Sequence, residues 1–282
     1  MSRKRVPTRP SILLLQFSLI LAALLALMPM LWMICAAFKS PVDIAQSTFL
    51  PWRHLDRLTV NNFEDLAAHQ PIAQWMVNSL FLAATQTLLM VPLSSMAGFA
   101  LAKYRFAGRN LVLVLLTATL LLPPQVLLTS LYELIRHLGW VDSYLALLVP
   151  AAVSAVGVIL FRQAMLQVPD ELLASARIDG CSELRLWWEI ALPITRPMIG
   201  AFALMSFVGT WNSYLWPQIV LQDQRKYTMA IGLANLMGIE QYQTQAGLIM
   251  AGTLLGILPL MILFFAMQRE LISGLTVGAV KE

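Results

Sequence analysis

Charge is what this 282-residue sequence has least of: 12% of its residues are Asp, Glu, Lys or Arg. A soluble domain carries about 25%. Together with a hydrophobic content of 59%, the shortage excludes an ordinary soluble domain and reads as a polytopic membrane protein. Cysteine is nearly missing as well. Cys35 falls in an apolar run and Cys181 in a polar loop, a placement that argues against a disulfide, and no metal-binding spacing is present. The three histidines, His54, His69 and His137, lie outside the apolar runs at irregular spacing. No Asp, Glu or His lies inside a predicted span. That leaves an intramembrane enzyme without its nucleophile and base or its ligand set. It also leaves out the ionisable groups that ion- or proton-coupled transporters carry within the membrane, each costing roughly 2.5–3.5 kcal/mol to insert. No soluble domain, low-complexity linker or internal repeat is visible. The net charge of +4 therefore bears on membrane orientation and gives no reason to expect nucleic acid as a partner.

What is present is a series of apolar runs near the roughly 20 residues that a membrane span requires. The expected fold is all-α, a polytopic membrane protein with six transmembrane helices. These fall at about Ile12–Ala37, Asn78–Ala102, Leu111–Leu128, Tyr144–Phe161, Met198–Leu215 and Gly247–Gln268. The first run is too long for the apolar part of a signal peptide, and Phe38-Lys39-Ser40 is a poor cleavage site, so it reads as a retained span. Pro92 predicts a kink in the second. The stretch Tyr132–Ser143 is polar and suits a short interfacial helix. The chain divides into an N-terminus at 1–11, a six-helix domain at 12–268 and a tail at 269–282. Six spans place both termini on one side. Of the 19 Lys and Arg, six (Lys39, Arg53, Arg57, Arg136, Arg225 and Lys226) fall on the opposite side. The remaining excess assigns both termini, and the loop between spans four and five, to the cytoplasm.

That loop, Pro169–Pro197, is unusually polar for its place. Pro169 suits a helix start and Gly180 a helix C-terminal cap, so Asp170–Ile178 reads as a helix. At 100° per residue, Leu172, Leu173 and Ala176 share one face. Glu171, Ala174, Ser175 and Ile178 share roughly the opposite one, made mostly of small residues that permit close approach. Ser182 then looks like an N-cap for a helix over Glu183–Ala191. Leu184, Trp187, Trp188 and Ala191 fall at i, i+3, i+4 and i+7, and two Trp on that stripe suit the lipid headgroup level. One helix would lie on the membrane and the other protrude. The residues alone leave two readings open, a solvated loop with an interfacial helix or a docking surface.

Pro169, Glu171-Leu172, Ala176-Arg177-Ile178-Asp179-Gly180, Ser182, Ile190, Leu192-Pro193 and Pro197 resemble the EAA loop in the membrane subunits of binding-protein-dependent ABC importers. Other stretches resemble the carbohydrate importers among them. Ala97-Gly98-Phe99-Ala100-Leu101-Ala102 with Arg105-Phe106 and Gly108-Arg109 is similar to the end of their second span. Trp211-Asn212 with Tyr214-Leu215-Trp216-Pro217 resembles their WN-motif. Gly274-Leu275-Thr276-Val277-Gly278-Ala279-Val280-Lys281 resembles the ending of the maltose-transporter-type, MalG-like permease subunit. The resemblance covers most of the chain from about Asn78 onward; earlier residues match in layout only.

The resemblance implies a type I ABC importer-like transmembrane domain. It also implies the partners: a different permease subunit as heterodimer partner, two ATPase subunits, an extracytoplasmic solute-binding protein, a sugar substrate and a bacterial inner membrane. This chain would hold no cofactor, metal or catalytic residue; ATP and Mg would be bound by the ATPase subunits. The loop at 169–197 would dock on an ATPase subunit as the coupling helix, with Glu171, Ala174, Ser175, Ile178, Asp179 and Gly180 as its contact and hinge residues. Aligned on Asp179-Gly180, the family's motif glutamate falls on Ala174, so its ionic contact is absent or moved to Glu171. Gln86, Trp211 and Asn212 are candidates for the substrate pathway or gate. Each has a plainer reading: a helix–helix hydrogen bond for Gln86, a headgroup-level aromatic for Trp211, a solvated amide for Asn212. The tail reads either as a frayed end or as an extended segment docked on the ATPases. The alternative solute is a non-sugar such as a phosphorylated polyol.

Overall fold

The computed structural model describes residues 9–46, 49, 57–238 and 246–276. Among these every regular element is helical. In order they are α1 Arg9–Ala37, α2 Pro41–Gln46, α3 Asn61–His69, α4 Ile72–Lys103, α5 Arg109–Thr119, α6 Leu128–His137, α7 Leu145–Leu148, α8 Ala155–Met165 and α9 Asp170–Ile178. There follow α10 Glu183–Arg185, a π-helical turn Leu186–Ala191, α11 Leu192–Ile194, α12 Arg196–Trp211, α13 Leu215–Val220, α14 Met229–Gly238 and α15 Ala246–Thr276.

Six uninterrupted spans are not what the helices provide. Three are long and apolar enough to cross a bilayer: Leu13–Ala37, Ile72–Lys103 and Ala246–Gln268. Two more crossings arise only if a bent pair counts as one, giving up to five. In the expected third span α5 stops at Thr119, and the chain beyond Pro123-Pro124 runs off at 97°. In the expected fourth, α7 ends at Leu148 and α8 starts at Ala155. Pro150 lies in that gap, and its missing N–H cannot continue a helix. Ser154 then caps α8, its hydroxyl accepting from the Gly157 N–H at 3.2 Å. The expected fifth is α12, bent 87° from the helical run before it. By contrast Pro29, Pro92 and Pro259 lie inside unbroken helices. The interfacial helix expected at Tyr132–Ser143 forms earlier, as α6. The first eight tail residues continue α15 to Thr276 rather than extending, and 277–282 lie outside the described residues.

The chain forms two compact units, residues 1–70 with 233–255, and residues 71–232 with 256–282. In the first, α1 leaves its apolar side chains from Leu13 to Leu27 exposed, as a helix sheathed by other apolar material would. Its end is pinned by Asn62, whose amide donates to the carbonyls of Ala37 and Lys39, both at 2.8 Å.

The second unit is organised on α4, which packs chiefly against α8 and α12. The α4–α8 crossing is so close that a Cβ on Gly98 would stand 2.7 Å from the Phe161 Cβ. Five polar side chains of α4 have a common task. Each satisfies backbone groups that a break elsewhere has left without a helical partner, which in a membrane is obligatory. The Trp75 indole donates to the Gln224 carbonyl at 3.0 Å. The Asn78 amide donates to Arg225 and Tyr227, at 2.8 and 2.9 Å, and the Ser79 hydroxyl accepts from the Met229 N–H at 2.8 Å. One turn-set further along, Gln86 donates to the Ala151 carbonyl and Ser94 accepts from the Ser154 N–H at 3.2 Å. So α4 holds the loop before α14 and the break before α8.

Candidate functional site

The segment at 169–197 folds as a protruding turn. Helix α9 ends in two bonds, Gly180 N–H to the Arg177 carbonyl and Cys181 N–H to the Ala176 carbonyl, both at 3.0 Å. This is the Schellman arrangement, and it needs a left-handed residue; Gly180 supplies it with φ of +83°. Leu173 and Ala176 are buried against Phe99, Met165, Val168, Leu186, Trp187 and Ala191. Glu171, Ala174, Ser175 and Ile178 are exposed, Ile178 at 87%. Leu172 departs from its expected face and is exposed too. The outer face of α9 thus carries one carboxylate, two small residues and a bare isoleucine, with Leu172 exposed beside them.

The apolar stripe expected on Glu183–Ala191 does not form. Trp187 and Ala191 are buried, but Leu184 and Trp188 are each 61% exposed. The cause is the π turn at Leu186–Ala191. Its i→i+5 bonding widens the turn, so residues four and five apart share a face. That brings Leu186 and Trp187 into register with Ala191, all buried, and sends Leu184 and Trp188 another way.

An ion pair and a hydrogen bond fasten the α9 turn to the end of α4. At its start, the Lys103 ammonium donates to Asp170 Oδ1 at 2.6 Å and to the Val168 carbonyl at 2.5 Å. That hydrogen bond holds the Asp170 carboxyl below the ordinary carboxylate range. Past its far end, Arg177 grips Glu183 with Nε and Nη2 at 2.9 and 3.1 Å. The Tyr104 hydroxyl donates to the same carboxylate, and the Arg177 guanidinium lies 5.9 Å from the Tyr104 ring centroid. Sequence reading missed these partners. Their only local signal is Lys103-Tyr104 closing an apolar run, since each contact from Lys103 to Asp170 and from Tyr104 to Glu183 spans more than sixty residues.

The three pathway candidates do not converge. Gln86 is buried and spends its amide on Ala151. Trp211 is buried, stacks on Phe207 and donates to the Gly256 carbonyl at 3.2 Å. Asn212 is the exposed C-cap of α12. Gln86 does line a cavity of about 160 Å³, together with Ala151, Thr210, Ser213, Trp216 and Thr228. No charged residue lines it. Among the described residues no cluster of His, Cys, Asp and Glu could hold a metal ion.

At the far end of the same unit, Asp142 takes φ of +59°, unusual for a residue with a side chain. Its carboxylate accepts from the N–H groups of Gln222 and Asp223 at 2.9 and 3.1 Å, and from Lys226 Nζ at 2.5 Å.

Comparison with known proteins gives this geometry a family. The chain aligns over its whole length, at 35% identity over 282 residues, with the arabinooligosaccharides transport system permease protein AraQ of Halalkalibacterium halodurans. It is 33% identical over 240 residues to the sn-glycerol-3-phosphate transport system permease protein UgpE of Salmonella choleraesuis, covering 85% of this chain and 84% of that one. Its fold is similar, with a TM-score of 0.81 and 19% identity, to a chain of a bacterial ABC transporter that imports alginate, covering 94% of this chain and 99% of that one. Residues 90–276 match the family model that spans α9, its exposed face and the turn at Gly180. The chain belongs to the family of binding-protein-dependent transport system inner membrane components.

Proposed function

We propose that this permease forms half of the translocation pathway for a sugar or oligosaccharide and is driven through the turn at 170–180. It transports and does not catalyse; ATP and Mg are bound by separate ATPase subunits. The observation that carries the reading is the outer face of α9. Glu171, Ala174, Ser175 and Ile178 project from a turn locked by Gly180, with no covering element among the described residues. A bare isoleucine flanked by small residues fits a groove on another protein better than it fits water. With Ala at 174, the one anionic contact such a groove can receive from this face is Glu171.

The excess of Lys and Arg places the termini, the Lys103–Asn110 loop and α9 on the cytoplasmic side of a bacterial inner membrane. The assembly this implies is a heterodimer with a second permease, two ATPase subunits and an extracytoplasmic solute-binding protein. Six crossings remain the count that agrees with this charge distribution, with the bent and broken helices as interrupted crossings. Asn212 and the cavity beside Gln86 are the places where solute would touch this chain; Trp211, anchored to Gly256, fixes the end of α12 that carries Asn212.

A phosphorylated polyol is the second reading, favoured by the similarity to a glycerol-3-phosphate permease. The cavity favours a neutral solute, because no Lys or Arg lines it to receive a phosphate. Co-purification tests the assembly: the solubilised chain should bring down a second permease and an ATPase subunit, and Ile178→Asp should lose the ATPase while keeping the permease. A chain that runs alone refutes the reading. Uptake of arabinooligosaccharide against glycerol 3-phosphate by the reconstituted complex separates the two solutes.

A further inference from the structure

The two side-chain contacts that hold the α9 turn to α4, the Lys103 ion pair to Asp170 and the Tyr104 hydrogen bond to Glu183, come from two adjacent residues at one end of one helix. Lys103 is the last residue of α4 and Tyr104 its C-cap. Lys103 is sunk among neighbours with its side chain 5% exposed, so its ammonium has a fixed position from which to hold Asp170 and the Val168 carbonyl. Tyr104 packs edge-on against Phe99 one turn back, at 5.8 Å between ring centroids. From there its hydroxyl meets Glu183 while its ring faces Arg177. Asp170 opens α9, and Glu183 opens the helix after it. The two contacts therefore bracket the turn, one on each side of the Gly180 hinge.

We propose that Lys103 and Tyr104 are positioning residues for force transmission, delivering displacement of α9 to α4. The inference rests on the reading of α9 as the element that docks on the ATPase. A single contact would let α9 pivot about it when pushed. Two contacts on either side of the hinge stop that pivot, so the turn and the end of α4 move together. The apolar packing of Leu173 and Ala176 resists separation, but it is non-directional and tolerates sliding. The bidentate Arg177–Glu183 fork is directional and fixes orientation. Helix α4 also grips the break at Pro150 and the loop at 224–229. A push received at Lys103 and Tyr104 is thereby felt at both.

The experiment uses the full complex, this chain with its partner permease, ATPase subunits and binding protein, reconstituted in liposomes. Three quantities are read: ATPase subunit retained, ATP hydrolysed, and solute moved per ATP. Asp170→Ala combined with Glu183→Ala removes both side-chain contacts and leaves the outer face of α9 unaltered. The expected result is retained ATPase subunit, hydrolysis within about twofold of the parent, and solute per ATP lowered roughly fivefold, the lower end of coupling between sites. Tyr104→Phe keeps the ring and its packing and deletes one hydrogen bond; it should show a smaller loss of the same kind. Exchanging the charges, Arg177→Glu with Glu183→Arg, should restore solute per ATP where Arg177→Glu alone does not. Unchanged solute per ATP in the double variant overturns the inference. So does loss of the ATPase subunit from it, which would make the contacts merely structural supports of the docking face. If the parent chain itself retains no ATPase subunit, the underlying reading fails instead.

Discussion

Gly98 of α4 and Phe161 of α8 meet with no room between them. A methyl group on Gly98 would stand 2.7 Å from the Phe161 Cβ and 2.8 Å from the Arg162 nitrogen. One of those atoms is backbone, so no rotamer change relieves the clash. Gly98→Ala should therefore destabilise the helix pair by about 1–3 kcal/mol. Thermal unfolding of the detergent-solubilised protein reads this as a lowered midpoint. An unchanged midpoint would mean that the two helices pack less closely than described.

Gly180 presents the opposite case. Nothing lies within 4 Å of a Cβ built there, and φ is +83°. Any cost of substitution is conformational, about 1–2 kcal/mol for alanine. Gly180→Asn should be milder than Gly180→Leu, because Asn tolerates the left-handed region. Uptake should fall in the order Gly, Asn, Leu, with equal amounts of protein in the membrane. Equal uptake by all three would remove the hinge from the mechanism.

Asp142 makes a pH-dependent contribution. Burial pushes its carboxyl up, but Lys226 and the N–H groups of Gln222 and Asp223 outweigh that and bring it from 3.8 to about 2. A folded value below the unfolded one stabilises the fold above the unfolded value, and that stabilisation is lost as pH falls through the folded one. Asp142→Asn keeps the positive-φ tolerance and the size while removing the charge. The gap in melting temperature between parent and variant should be constant near neutrality. It should close between about pH 4 and pH 2. A gap that persists at pH 2 would assign the effect to shape rather than charge.

The adjacent tryptophans should behave unlike each other. Trp187 is 6% exposed and Trp188 61%. Trp187→Ala should cost about 3–5 kcal/mol. Trp187→Phe should cost far less, because the indole N–H it removes has no partner among the described residues. Trp188→Ala should leave the melting temperature nearly unchanged, and Trp188 should be the one quenched by brominated lipid. Equal quenching of both would contradict the π-turn register.

Legibility in the sequence followed the range of the interaction responsible. The α9 turn was readable because Asp179-Gly180 carries its own backbone requirement, and the outer face of α9 because its phase is fixed by nine contiguous residues. The stripe at Leu184, Trp187, Trp188 and Ala191 misled because 3.6-residue spacing presumes i→i+4 bonding, which the π turn abandons. Proline alone could not tell a broken span from a continuous one. Pro92 and Pro150 look alike in sequence, yet only Pro150 sits in a break. What differs is remote: Gln86 and Ser94 stand ready to satisfy the groups freed around 151–154. The same distance hid the Lys103–Asp170 and Tyr104–Glu183 contacts. The partners of the expected solute trio Gln86, Trp211 and Asn212 were hidden for a related reason. Two of the three polar groups were already committed to main-chain carbonyls that no local pattern reveals.

The π turn at Leu186–Ala191 amounts to one residue of slack in an otherwise ordinary helical run. Shortening that run by a single residue would return it to i→i+4 bonding. Because the wide turn already absorbs that residue, everything upstream would keep nearly its present bearing and distance relative to α12. Only the side chains inside the turn would be reset, while Ile178 would point where it does now. The wide turn is thus a buffer: it lets the chain carry one residue more without turning the docking face.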